Sequence, residues 1–225
     1  MRILYHYPLC PFSRKIRHLM YEKKLDFSEK IEIFWNENKT LLKMNAAGTV
    51  PILVDLNATI IADDSVIVEY LEEAYPQTNM LGQTLAEKAE TRRLVAWFDK
   101  KFYMEVSYPL FLAKVVHRFS RDHHTGAPNS QVLRQAKKNL EYHLKYIEWL
   151  TERRNWLSGE DFSLSDITAA AHLSMMDYFG DMIWERHPIA KSWYVRVKSR
   201  PSFRAFLNDK VPGFMPAPHY GELDF

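Results

Sequence analysis

The sequence predicts an α/β domain followed by an all-helical domain within one chain of 225 residues. In the first 76 residues, short extended runs alternate with helical patterns. After a polar segment around Gly82, apolar residues recur only at helical spacing. The composition, with 47% hydrophobic and 26% charged residues, is that of an ordinary folded protein.

The first domain, residues 1–76, begins with an extended run that Pro8 ends, and Pro11 can open a helix at its first position. Strands are also predicted at residues 27–34, 51–56 and 58–62, and the last two form a tight antiparallel hairpin that turns at Asn57. Asp63 or Asp64 then caps a second helix that ends before Pro76.

The first helix has an apolar face and a strongly basic one. Its apolar residues Ile16, Leu19 and Met20 have helical spacing. The cations opposite are predicted to lie on the outer, solvated face; they are Arg14, Lys15, Arg17, Lys23 and Lys24.

Residues 77–85 are predicted to link this domain to an all-helical domain at residues 86–211, followed by an extended tail at 212–225. A long helix begins near Leu85, and Pro109 is expected to kink it. Ser163 followed by Asp166 is a capping-box variant ahead of an almost wholly apolar, buried helix. Prolines and Gly213 make a regular element unexpected in the tail.

Composition also excludes several classes of function. The net charge of +2 gives no argument for nucleic acid as a partner. The single cysteine, Cys10, excludes an intramolecular disulfide and a zinc site built from cysteine pairs, and it fits a reducing cytoplasm. No signal peptide, membrane span, phosphate loop, dinucleotide motif or zincin motif is predicted, and neither is a metal site.

Cys10-Pro11-Phe12-Ser13 is the most informative run for chemistry. A thiol at a helix start meets unpaired N–H groups and the positive end of the helix dipole, which favour a reactive thiolate. Ser13 stands where a dithiol enzyme has its second cysteine, so an external thiol such as glutathione would have to complete a turnover. The alternative is a buried cysteine that only packs.

Two further motifs could bind a peptide-like ligand. The run from Gly48 to Pro51 suits a cis Val50–Pro51 peptide that leaves the Val50 backbone free to pair, although most such strings are turns before an edge strand. Asp64-Ser65 at a helix start could hold the amino-acid end of a γ-glutamyl group, and a plain N-cap explains it equally well.

These motifs, in this order and together with the Ser163-to-Asp166 cap, resemble the cytosolic glutathione transferase superfamily over essentially the whole chain. The resemblance implies a thioredoxin-like first domain, an all-helical second domain and a homodimer. It also implies catalysis by Cys10, as in omega-type members that favour thiol transfer, with glutathione as co-substrate and a small electrophile or mixed disulfide as the other reactant.

The resemblance also assigns binding residues. Val50 beside cis Pro51 would pair with the cysteinyl backbone of glutathione, and Asp64 and Ser65 would hold its γ-glutamyl end. For its glycyl carboxylate, Lys39 or Trp35 is the candidate. His6 stands where tyrosine-type members have their activating hydroxyl, so that mechanism is not expected here.

A second-substrate wall is predicted on the long helix, from Tyr103, Tyr108, Phe111 and Val115, which could equally be core.

The two ends of the chain point to a different class of function. They also resemble the bacterial division-associated branch of the superfamily, whose members bind FtsZ filaments and are not thought to act on glutathione. The apolar and aromatic residues 216–225 suit docking as an extended peptide, and a frayed terminus is the alternative.

Overall fold

The computed structural model of the protein describes residues 1–36, 38–119 and 129–223. Its first domain holds a mixed sheet with strand order β2-β1-β3-β4. The strands are β1 (Arg2–His6), β2 (Phe27–Ile31), β3 (Ile52–Val54) and β4 (Ile60–Ala62). β1 pairs in parallel with β2 and antiparallel with β3, and β3 with β4 is the predicted hairpin, with shorter strands than expected.

The described chain after residue 84 is built mainly from helices, and three further helices accompany the sheet. They are α1 (Pro11–Glu22), α2 (Lys39–Met44) and α3 (Asp64–Ala74). The second domain contains α4 (Leu85–Ala96), α5 (Tyr108–Phe111), α6 (His117–Phe119), α7 (Ser130–Thr151), α8 (Leu164–Phe179), α9 (Pro188–Lys198) and α10 (Arg204–Leu207).

The long helix differs from its prediction at Pro109. Instead of a single kink, wide π-helical turns occur on both sides of α5, at Trp97–Ser107 and Leu112–Val116. Wider turns accommodate a residue that has no amide hydrogen to donate.

The prediction that the five cations of the first helix lie on a solvated face is wrong for four of them. Arg14, Lys15, Arg17 and Lys23 are buried, and only Lys24 is exposed. The reason for Arg14, Lys15 and Arg17 is that α8 and other parts of the second domain pack along α1. Lys23 is instead buried beside α3, where it pairs with Glu72. Each buried cation is paired with a carboxylate, as buried charges must be.

The predicted central helix is confirmed as α8, which is buried along nearly its whole length. The capping box at its start is present, with Asp166 accepting from the Ser163 amide at 3.1 Å. Asp166 also accepts from the Leu157 amide and from the Trp193 indole, so this carboxylate fastens the preceding loop and α9 to α8. Within the described residues, no helix combines the length and apolarity needed to cross a bilayer.

The sequence predicted an extended tail after α10, but the structure shows a segment that is only partly extended. Pro218–Gly221 forms a 3₁₀ turn, and Tyr220 is 1% exposed because its side chain returns to the core. Residues 212–223 are called the tail below; the last two residues of the predicted segment, 224 and 225, lie outside the described residues.

Candidate functional site

Cys10 occupies the predicted position at the start of α1. It is the N-cap residue in an extended conformation, with Pro11 following as the first helical residue. Its amide donates to the Tyr7 carbonyl oxygen at 3.0 Å, which closes the turn between β1 and the helix. The local sequence therefore places the thiol at the amino end of a helix, as expected.

The environment of the thiol differs from the prediction. Cys10 is 4% exposed. Burial raises the pKa of its thiol, and this effect outweighs the hydrogen bonds from Ser13 and from the Phe12 amide, which lower it. The structure thus favours a protonated thiol where the sequence predicts a reactive thiolate.

An aromatic cluster belongs to the same core as Cys10. We use this name for Tyr7, Phe34, Trp35 and Phe111. The Tyr7 ring lies 4.7 Å from Trp35 and 6.2 Å from Phe111, measured between centroids, and Phe34 stacks on Phe111 at 6.0 Å. Edge-to-face and offset-stacked arrangements of this kind are the favourable geometries for packed aromatic rings.

Tyr7 is a residue that sequence reasoning missed. Burial is the main cause that raises the pKa of the Tyr7 hydroxyl, and Tyr178 and Cys10 add to it. The signal that could have found it is its position three residues before Cys10, where a tight turn brings the two together. With its pKa raised well above the ordinary value, the Tyr7 hydroxyl stays protonated and supplies no base.

The predicted cis peptide between Val50 and Pro51 is confirmed. Val50 is 5% exposed and belongs to the same core cluster as Cys10. Val50 and Cys10 are therefore both withdrawn from solvent, within one apolar core.

The amino end of α3 is satisfied by the chain itself. Asp63 is the N-cap residue, and one of its carboxylate oxygens accepts from the Ser65 amide at 2.9 Å and from the Ser65 hydroxyl at 2.5 Å. Its φ of 77° lies in the left-handed region. The hydroxyl and amide expected to hold a ligand carboxylate thus already bind one.

Asp64 is also bonded within the chain, in this case to a buried cation. The buried Lys15 ammonium donates to Asp64 and to Asp99, which follows α4 in the second domain. His172 on α8 lies 3.3 Å from the other Asp99 oxygen. Burial alone would raise the pKa of Asp99, but Lys15 and His172 outweigh it and hold that pKa below its ordinary value. Asp99 is therefore ionised, and it shares the ammonium with Asp64.

A cavity of about 330 Å³ lies beside this ion cluster. Phe12, Lys15, Asp64, Ser65 and Asp99 are among its lining residues, whereas Cys10 and Val50 are not. This cavity is therefore next to the carboxylates and is not lined by the thiol.

The remaining predicted residues divide between core and surface. Ser13 is buried, and its hydroxyl accepts from the Tyr7 amide at 3.2 Å. Lys39 is exposed at the start of α2, and the nearby Trp35 is half-buried. Of the second-substrate residues, Phe111 and Val115 are core, Tyr103 packs on Phe12 at 4.7 Å, and Tyr108 is 41% exposed. Over the described ranges, no group of acidic, histidine and cysteine side chains is suited to hold a metal ion.

Comparison with known proteins identifies both domains. Residues 4–79 match the glutathione S-transferase N-terminal domain, and residues 104–201 match the glutathione S-transferase C-terminal domain. The first match covers the sheet and the helices packed on it, and the second lies within the helical part of the chain.

Three matches, two of them to the same protein, cover the whole chain. FtsZ-localized protein A of Caulobacter vibrioides is 43% identical over all of this chain and 98% of its own length. The solved structure of FzlA from C. crescentus superposes with a TM-score of 0.95 at 43% identity, over 100% of this chain and 99% of that one. A glutathione S-transferase structure from Rhodospirillum rubrum also has a TM-score of 0.95, at 48% identity over the full length of both chains.

Proposed function

Because this chain belongs to the glutathione S-transferase family, we propose that it uses the family fold as a non-catalytic scaffold that binds FtsZ filaments in dividing bacteria. The observation that carries the non-catalytic part is the burial of Cys10, which is 4% exposed and has a raised thiol pKa. Because one fold can host many functions, the function has to be inferred from the chemistry of the site. Here the site lacks an accessible nucleophile.

The partner is proposed from the similarity to FtsZ-localized protein A, which extends over the full chain. The protein would act in the bacterial cytoplasm, where FtsZ assembles, and as a homodimer. A dimer presents two copies of each binding surface, so it can bridge neighbouring filaments and gain avidity.

The tail is the surface that we propose for contact with FtsZ. Met215 is 89% exposed and Leu223 is 41% exposed, although the tail between them is held against the fold. Glu222 adds an exposed charge. Apolar side chains that stay in water on an otherwise anchored segment are suited to a protein contact.

Co-sedimentation with polymerised FtsZ tests this function. We expect the wild-type protein to sediment with the polymer, and Met215→Ser with Leu223→Ser to weaken that binding about tenfold, as loss of two apolar contacts predicts. The matched control is Leu85→Ser, because Leu85 is equally exposed, at 85%, but opens α4. Absence of wild-type co-sedimentation would contradict the proposal.

Glutathione-dependent thiol transfer by Cys10 is the second candidate. It is favoured by the hydrogen bonds that Ser13 and the Phe12 amide direct at the thiol, the arrangement that a helix start supplies to a thiolate. In that case the protein would bind glutathione at millimolar concentration and reduce a glutathione mixed disulfide. Cys10→Ala would abolish the turnover, whereas FtsZ binding would be unaffected.

A further inference from the structure

Arg14 is a fully buried cation that joins four separate parts of the chain. Its Nε donates to the Pro8 carbonyl oxygen at 2.6 Å, and its Nη1 donates to the Ser174 hydroxyl at 2.9 Å and to the Tyr220 hydroxyl at 2.8 Å. Its Nη2 lies 3.4 Å from Asp209. One guanidinium therefore connects the turn before Cys10, helix α8, the segment after α10 and the tail.

Stability alone does not account for this arrangement. A buried guanidinium is costly to desolvate, and apolar residues of similar volume are often as stable. Three of the four partners of Arg14 are neutral oxygens, and its single carboxylate lies at the longest distance. What a planar group with five donors adds is direction, because it fixes the relative positions of the groups that it binds.

The tail is held at Tyr220 by more than this one bond. The Tyr220 hydroxyl donates to the Phe206 carbonyl oxygen at 3.1 Å, and its ring packs edge-on against Tyr178 at 5.0 Å between centroids. The Ala217 amide donates to the Tyr178 carbonyl oxygen at 2.8 Å. Residues 217–220 therefore form a fixed segment between the exposed Met215 and Leu223.

We propose that Arg14 is a positioning residue for FtsZ binding. By holding Tyr220, it fixes Met215 and Leu223 at the surface in the arrangement that the partner contacts. A tail that is already ordered loses little conformational entropy when it binds, so anchoring increases affinity without adding a contact. The inference rests on the proposed function and assigns a positioning role to a residue on the helix that follows Cys10.

A matched pair of substitutions on α1 tests it. Arg14→Lys keeps the charge but loses the planar set of donors that reaches four groups. Arg17→Lys is the matched control, because Arg17 is also buried and shares Asp209 with Arg14, but its other carboxylate partner is Glu29 and it does not donate to Tyr220. We expect hydrogen exchange of the Ala217 amide to become about tenfold faster in Arg14→Lys, as loss of one hydrogen bond from a charged donor implies. Affinity for FtsZ polymer should fall about tenfold as well, and Arg17→Lys should change both by less than about twofold.

Tyr220→Phe keeps the test decisive if Arg14→Lys does not fold. The phenylalanine retains the ring against Tyr178 and loses the hydroxyl that accepts from Arg14, so both readouts should shift in the same direction, by about fivefold. Wild-type exchange and affinity in this variant would overturn the inference, and so would equal effects of the two lysine substitutions.

Two further results separate this inference from the function on which it rests. Faster exchange at Ala217 with unchanged FtsZ affinity would overturn the role of Arg14, while binding that still depends on Met215 and Leu223 would leave the proposed function standing. Failure of the wild-type protein to co-sediment would overturn both.

Discussion

Two regions on either side of α1 differ in what they expose. At the Cys10 side, the residues with the chemistry of a ligand site are withdrawn from solvent or already bonded within the chain. At the tail side, a segment with the composition of a loose terminus is anchored through Tyr220, yet it leaves Met215 and Leu223 in water. Access, and not residue type, separates a site that only packs from a surface that can bind.

The largest effect is expected from removing the ammonium on the Cys10 side. Lys15→Met removes the buried ammonium that the partly buried carboxylates Asp64 and Asp99 share, so the free energy of unfolding should fall by about 3–5 kcal/mol. Urea denaturation measures this change. The control is Lys101→Met, because the Lys101–Glu105 pair is exposed and should not affect the midpoint. A Lys15→Met midpoint equal to that of the control would mean that this ion cluster does not stabilise the fold.

The next largest effect should be a pH dependence of stability on the tail side of α1, where His18 packs against Phe206, the residue whose carbonyl oxygen binds Tyr220. Burial lowers the pKa of His18 to about 4, which Glu22 offsets in part and Arg200 reinforces. Because an unfolded histidine titrates near 6.5, only the unfolded chain takes up this proton between pH 6.5 and 4. Stability should therefore be unaffected above about pH 6.5 and fall by about 3 kcal/mol towards pH 4.

His18→Gln isolates that contribution. Burial also lowers the pKa of His143 to about 4, so part of the decline in stability should remain in the variant. Urea denaturation at pH 7, 5.5 and 4.5 should give a smaller loss for His18→Gln than for the wild-type protein. Identical curves would show that His18 is protonated in the folded state.

Thiol labelling compares the exposure of the two regions directly. Cys10 should react with a thiol reagent at pH 8 about 100-fold more slowly in the folded than in the urea-unfolded protein, because burial protects it and raises its pKa. Trp35→Ala removes a ring packed on Tyr7 and should accelerate labelling, whereas Trp149→Ala removes a tryptophan that is 48% exposed and should not. Rapid labelling of the wild-type protein would instead favour the glutathione enzyme.

The smallest effect concerns the cap of α3. Asp63→Ala removes the acceptor for the Ser65 amide and keeps a side chain at a φ of 77°, so about 1–2 kcal/mol of stability should be lost. Asp63→Gly removes the same acceptor but tolerates the backbone conformation, so its loss should be a few tenths of a kcal/mol. Equal losses in urea denaturation would show that the backbone conformation at Asp63 is not under strain.

The features that could be predicted from the sequence depend on near neighbours along the chain. The cis Val50–Pro51 peptide, the N-cap position of Cys10 and the capping box at Ser163 are each set within a few residues. The burial of α1 could not be predicted, because the partners of its cations are distant: Lys15 and Asp99 are 84 residues apart, and Arg14 and Tyr220 are 206 apart. Periodicity identifies an apolar face, but it does not reveal whether the charged face meets water or other charges.

The position of α1 has a consequence for any attempt to divide this protein. The carboxylates that pair with Arg14, Arg17 and Lys15 include Asp209 and Asp99, both of which lie beyond the polar linker. A fragment excised at that linker would keep the cations and lose these counterions, together with the helix that shields them. The two halves are therefore expected to unfold in a single cooperative transition, even though the composition of the linker predicts a domain boundary.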